Sequence, residues 1–309
     1  MITCQLRGGL GNQLFQIYTA IAYAVEQKQP FFFLNTEQLG NGQNGATIRY
    51  TYWNTFLKEL TPFLKSMAQV PTPFYTIREQ SFKYAKLPSN QTEPVYYASN
   101  NDKYATVLFG YFQSYKYFEK YRDIIDKIIK LDLKQQIATI KQQNTNINLK
   151  KTVSAHFRLG DYEKYPNIHP ILPPSYYQNA LEDILVDDPS IETVLYFCED
   201  GDLEKVSKTI EELTKNVNVN VNVNKNVNKN KKTNIRFIRA DPLISDWEQM
   251  MLMSVCKHNI IANSTFSWWG AYFNKNPLKI VCYPKIWFGP AANHETSDLF
   301  PKDWTPIPF

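Results

Sequence analysis

The sequence predicts an α/β protein built on parallel sheets, and three observations predict it. A short apolar run at the start leads into a glycine turn and then a helical repeat. From residue 151 to about 283, β-prone apolar runs alternate with helical repeats, the pattern of a doubly wound parallel sheet. The turns richest in polar, ligand-capable residues all follow strands, and ligands of such sheets bind at strand carboxyl ends.

Residues 2–6 read as the first strand. Gly8, Gly9 and Gly11 make a tight turn, after which Leu14, Ile17, Tyr18, Ile21 and Ala22 repeat at helical spacing. Such glycines let backbone approach a ligand, and a helix amino end carries about half a positive charge. Asn12 and Gln13 add amide donors where the helix starts. The dinucleotide fingerprint G-x-G-x-x-G is not met, because Leu14 stands at the third glycine position. A turn without a ligand remains open at this point.

Residues 30–34 read as a buried strand and 36–47 as loop. The stretch 50–97 is rich in Tyr, Phe and Pro without a clean period, and its elements are not legible. A strand at 106–111 is followed by one helix expected over 117–140, with Tyr121, Ile124, Ile125, Ile128 and Ile129 as its core stripe. The polar run 141–148 is the expected boundary between a domain at 1–148 and a domain at 149–309.

The second half alternates. Strands are expected at 152–157, 193–197, 235–238, 259–262 and 279–283, and helices at 175–185, 202–213, 247–256 and 266–273. Between a helix and a strand lies a low-complexity Asn/Val/Lys insertion at about 215–234, either ribbon-like or disordered, and read as a surface excursion away from the strand carboxyl ends.

The stretch 153–162 organises the site. Read as a strand, it delivers His156 and Arg158 on one face at its carboxyl end. Arg158 is a permanent cation whose planar fork suits phosphate oxygens. Asp161 is close enough in sequence to act as a base or to form a plain ion pair with Arg158, and Glu163 stands behind it. After the next strand come Glu199, Asp200 and Asp202. The D-x-D pair could hold Mg²⁺, one carboxylate could accept from a guanine edge, or Asp202 could cap the following helix. Asn263, Ser264, Thr265 and Ser267 open a later helix as caps or as donors to an anion, and Trp268 and Trp269 either pack or flank a sugar. Three turns with anion-binding chemistry suggest a diphosphate leaving group stabilised by Arg158 and two helix amino ends.

Composition narrows the class. Among 309 residues the net charge is +5, but five lysines and no acid lie in 215–234, so the rest is balanced and no nucleic-acid footprint is evident. Cys4, Cys198, Cys256 and Cys282 are scattered, without metal-ligand spacing, which fits reduced thiols. No apolar run reaches the ~20 residues that span a bilayer, and the first residues lack a signal-peptide pattern. A cytoplasmic protein without a membrane span is expected.

Four motifs now carry a family resemblance. They are GGLGNQLFQ at 8–16, GYFQS at 110–114, HFRLGDY at 156–162 and NSTFSWWGA at 263–271. Together, in this order, they resemble the α-1,2-fucosyltransferases of glycosyltransferase family 11, over residues 2 to about 290 apart from the insertion. The resemblance implies a GT-B-like fold of two Rossmann-like domains facing a cleft. It also implies an inverting, metal-independent transfer of L-fucose from GDP-β-L-fucose to the 2-hydroxyl of a galactose, with no cofactor beyond that donor and a glycan as acceptor. It implies that Arg158 contacts the diphosphate and that His156 lines the nucleotide site. Asn12, with its neighbouring glycines, would approach phosphate or fucose, and Ser264, Thr265 and Ser267 would donate to phosphate. Asp161 is the expected acceptor base. Two departures stand out: Leu159 where the family commonly has a second arginine, and Thr265 for the usual serine. A metal-dependent transferase using Asp200 and Asp202, and a non-catalytic glycan- or nucleotide-binding protein, are the alternatives.

Overall fold

Nearly every position from Leu10 to Ala24 is apolar or small, so the helix that forms there has no face to give to water and is expected in a core. In the computed structural model, which describes residues 1–39, 48–71, 73–88, 104–142, 147–220 and 234–309, that is where it lies. Strand β1 (Ile2–Cys4) leads through the glycine turn into α1 (Leu10–Glu26), which is buried along almost its whole length. Phe15 and Tyr18 pack on Phe118 with ring centroids 5.9 and 5.3 Å apart, and burying each such ring contributes about 1.5–3 kcal/mol. The polar tip of Tyr18, its Oη, donates to Asp126 Oδ1 at 2.8 Å.

The chain divides into two compact units. The first is Met1–Leu133 with His294–Pro301, and the second is Lys134–Asn293 with Lys302–Phe309. The sequence had placed the change at 148. The structure puts it at 133/134, and a short segment near the end rejoins the first unit.

In the first unit, β2 (Phe33–Leu34), β3 (Gln38–Leu39), β4 (Arg49–Tyr50) and β5 (Leu64–Lys65) are short. β2 pairs β5 in parallel and β3 pairs β4 antiparallel. The main sheet is parallel, in the order β1-β7-β6, with β6 at Phe74–Arg78 and β7 at Ala105–Phe109. β6 lies in the stretch whose period was illegible. Three of its five side chains are exposed, so no core stripe marks it.

The helix expected over 117–140 is broken. Two 3₁₀ turns precede α2 (Arg122–Ile128), and α3 (Leu131–Gln142) starts anew. Lys130 takes φ +53° at the break. A continuous helix would put Ile129 and Leu131 on opposite faces, whereas the bend buries both.

The second unit is a six-stranded, wholly parallel sheet. Its strands are β8 (Thr152–His156), β9 (Thr193–Phe197), β10 (Arg236–Arg239), β11 (His258–Ile260), β12 (Val281–Pro284) and β13 (Thr305–Ile307). Helices α4 (Pro174–Asp187), α5 (Leu203–Asn220), α6 (Asp246–Ser254) and α7 (Thr265–Phe273) connect them. The spatial order is β10-β9-β8-β11-β12-β13, which in order of appearance within the unit is 3-2-1-4-5-6, the doubly wound dinucleotide-fold order. The order reverses between β8 and β11, where Val153 is in register with His258 and Ala155 with Ile260. β8 is buried at all five positions. The closing strand β13 was not expected, because Thr305–Ile307 is only three residues long and includes a proline.

The expected α/β class with parallel sheets therefore holds. The insertion begins as helix, since α5 runs on to Asn220, and residues 221–233 lie outside the described part. Trp268 and Trp269 are both fully buried, so both pack and neither flanks a sugar. The four cysteines are free, and burial raises the thiol pKa of Cys4, Cys256 and Cys282.

Candidate functional site

Parallel strands have their carboxyl ends on one edge, and a reversal of strand order leaves an opening there that no connection crosses. In the second unit this is the edge of β8 and β11. Strand β8 ends at His156. Phe157 still donates its N–H to Phe197 O at 2.8 Å, and the chain then leaves the sheet at Arg158.

Arg158 is gripped on two sides. Its guanidinium donates to Asp161, three residues on, and to Glu199 just past β9, and its guanidinium carbon lies 5.2 Å from the centre of the Tyr162 ring. Burial disfavours its charge, but Glu199 and Asp161 outweigh that and raise its pKa. The turn that allows this grip is Gly160, with φ +37°, a region L side chains rarely adopt. Its N–H donates to both oxygens of Asp202, at 3.1 and 3.0 Å. Asp200 pairs with Arg239 at the end of β10, a partner that the sequence reading missed because no local pattern links residues 39 apart. Both carboxylates of the D-x-D pair are therefore engaged by protein donors. Among the described residues, no group of three or more His, Cys, Asp or Glu is placed to hold a metal ion.

Across the reversal, Asn263 and Ser264 follow β11. Ser264 caps α7, its Oγ accepting from Phe266 N at 3.3 Å, and the first turn of α7 holds no acid. Ser267 Oγ donates to backbone carbonyls of Ala262 and Ser264, at 3.4 and 3.3 Å. Asn263 Nδ2 donates to Pro170 O at 2.9 Å and Trp287 O at 3.3 Å, while its buried Oδ1 has no hydrogen-bond partner. Tyr162 ties the two loops together, its hydroxyl donating to Asn263 O at 3.1 Å and its ring stacking on His169 at 4.4 Å. His156 lies 5.7 Å from the Phe266 ring, ring centre to ring centre, with its buried Nδ1 unpartnered. Burial and then the Arg158 charge push its pKa down to about 3, so it is a neutral imidazole.

The second unit thus gathers His156, Arg158, Asp161, Glu199, Asp200, Asn263, Ser264, Thr265 and Ser267 along one edge. Gly9, Gly11, Asn12 and Gln13 belong to the first unit, at the equivalent edge of its own sheet. There Gly8 takes φ +73°, and a side chain on it would meet Asn12 Nδ2 at 2.4 Å. The amino end of α1 has no side-chain cap. Gln13 is buried, with Nε2 donating to Gly8 O at 3.0 Å and Tyr50 O at 2.8 Å, and its Oε1 lacks a hydrogen-bond partner. Gln113 Nε2 donates to Asn12 Oδ1 at 3.0 Å, which explains why the GYFQS motif accompanies the glycine turn. Glu79 fixes that second motif by accepting from Tyr111 N at 2.7 Å and Phe112 N at 2.9 Å. It was missed because it lies in the stretch without a period.

Comparison with known proteins identifies the family. An O-antigen biosynthesis glycosyltransferase, WbnK, of Escherichia coli is 28% identical over 98% of this chain and 99% of its own length. An alpha-1,2-colitosyltransferase of Escherichia coli is 28% identical over 99% of both. A galactoside 2-alpha-L-fucosyltransferase of Caenorhabditis elegans is 25% identical over 52% of this chain and 42% of its own length. With the glycosyl transferase family 11 model matching residues 1–307, the chain belongs to that family and is a glycosyltransferase.

Proposed function

We propose that this glycosyltransferase moves L-fucose, or a closely related deoxyhexose, from its β-linked GDP donor to the 2-hydroxyl of a galactose, with inversion and without a metal ion. The observation that carries the reading is Arg158, the cation at the reversal point of a doubly wound sheet, linked through Tyr162 and Asn263 to the amino end of α7, whose first turn holds no acid. In the proposed reaction the acceptor oxygen bonds to the anomeric carbon as the bond from that carbon to the phosphate oxygen breaks. GDP leaves with the electron pair, and Arg158 and the α7 amides take up its growing charge. As Arg158 turns to the diphosphate it releases Asp161, whose carboxylate receives the acceptor's proton. Neutral His156 and the open Oδ1 of Asn263 suit polar groups of the nucleotide, and Glu199 suits the guanine edge. At the edge of the first unit's own sheet, Asn12, held by Gln113, and its neighbours Gly9, Gly11 and Gln13 offer polar groups and close backbone that suit a sugar or a phosphate. Arg239, which holds Asp200, supplies a second cation on the edge that lacks an arginine at Leu159.

The test is direct. Purified protein with GDP-L-fucose or GDP-L-colitose and a β-galactoside, in excess EDTA, should release GDP and give an α-1,2-linked product by NMR. Absence of product from both donors across a broad acceptor panel would sink the reading. The choice of donor is open to colitose because the relative of that activity matches end to end.

A further inference from the structure

The carboxyl edge of the first unit's sheet holds two cations that the proposed reaction does not use. Arg78 ends β6 in register with Phe109, the last residue of β7, and Arg7 follows β1 on the other side of β7. Both guanidiniums lie over the Phe109 ring, their carbons 3.9 and 4.3 Å from its centre. The two charges are therefore no further apart than those distances laid end to end. Among the described residues no carboxylate lies within ion-pair distance of either. The acid next to Arg78, Glu79, is spent on the N–H groups of Tyr111 and Phe112.

Arg7 is also held from behind. Its N–H donates to Gln16 Oε1 at 2.9 Å and its carbonyl accepts from Gln16 Nε2 at 3.5 Å, with Gln16 fully buried in α1. A ring face attracts a guanidinium, but two guanidiniums on one ring repel each other, and among the described residues neither is relieved by an ion pair. An oxyanion would complete the cluster, since a guanidinium fork binds one through two parallel hydrogen bonds.

We infer that Arg7 and Arg78, set on Phe109, seat an oxyanion of the acceptor glycan, a sugar carboxylate or sulfate, so that an acidic galactoside is the preferred acceptor. This rests on the transferase reading above and adds the acceptor's charge to it. The same oxyanion chemistry could come from the donor's diphosphate, and the experiment separates the two.

Calorimetry would compare neutral lactose with β-galactosyl-glucuronate and 3′-sulfolactose, on the unaltered chain, Arg7→Gln, Arg78→Gln and the double variant. An acidic disaccharide should bind about 10-fold or more tightly than lactose at low salt, and less so near 0.5 M salt, because Arg78 is exposed and Arg7 only half-buried, so salt screens both. The advantage should vanish in the double variant, with lactose and GDP binding unchanged. Arg78→Lys, which keeps the charge, should retain part of it and guards against a folding artefact. Equal affinity for neutral and acidic sugars, or an advantage that survives the double variant, overturns the inference. Weakened GDP binding in the double variant assigns the cations to the donor and overturns it as well. Fucosyl or colitosyl transfer to lactose, measured in parallel, reports separately on the transferase reading.

Discussion

The carboxyl edges of the two sheets present the same side chain in opposite electrical settings. In the second unit Arg158 and Arg239 rest on Glu199, Asp161 and Asp200. In the first, Arg7 and Arg78 rest on a phenyl ring. A cation stored on carboxylates exchanges one anion for another when a diphosphate arrives, so little charge has to be newly desolvated. A cation stored on a ring keeps its field and attracts anions from a distance, subject to salt. On the proposed reading, the paired arginine meets the reacting phosphate and the two on the ring recognise the acceptor.

The sharpest way to break that contrast is Arg158→Ala, which should lower kcat by roughly 10²-fold or more, the scale of one transition-state donor. Arg158→Lys should recover only part, because an ammonium lacks the fork. Kinetics near normal in Arg158→Ala would remove the paired arginine from the chemistry.

Next in size are the two turns that aim these edges. Gly8→Ala and Gly160→Ala each force an L side chain into positive φ, costing about 1–2 kcal/mol by urea unfolding. Gly8→Ala should be the worse, since its new Cβ lies 2.4 Å from Asn12 Nδ2, against 3.2 Å from Glu199 Oε2 at Gly160. The reverse order would mean that the Asn12 side chain is free to move aside.

Ser264→Ala removes the cap of α7 and should cost about 1 kcal/mol in the same measurement. An unchanged midpoint would mean that the hydroxyl is reserved for ligand.

A separate effect concerns protons, and it grows as the pH falls. His156 is held neutral down to about pH 3, whereas in the unfolded chain it protonates near its ordinary 6.5. Between those values the unfolded state binds the extra proton, so this histidine lowers stability as pH falls from 6.5 toward 3. His156→Phe should flatten that part of the stability curve, and the pH–rate profile of the unaltered chain should carry no inflection from His156. A slope in stability that is unchanged by the substitution would contradict the buried, neutral assignment.

Much of this was legible before any coordinates. The strand at 193–197 matches β9 end to end, and the helix expected at 266–273 differs from α7 by one residue, because strict alternation and helical spacing are local signals. The ion pair of Arg158 with Asp161 was one of two readings, since three residues separate them. That Glu199 is the other partner of Arg158, across 41 residues of chain, was not legible. Arg78 and Glu79 could not be found, because β6 is an edge strand with exposed side chains and carries no period.

The chain's linear order alone determined the α/β class, the family and the turns that bear the chemistry, since each of these is written in neighbouring residues. Strand order, and with it the reversal that sets β8 beside β11, came only from the folded chain. So did the choice of which arginine meets a carboxylate and which meets a ring. Those facts join residues from 31 positions apart, Arg78 and Phe109, to 105 apart, Val153 and His258, and only packing decides which distant side chains share an edge.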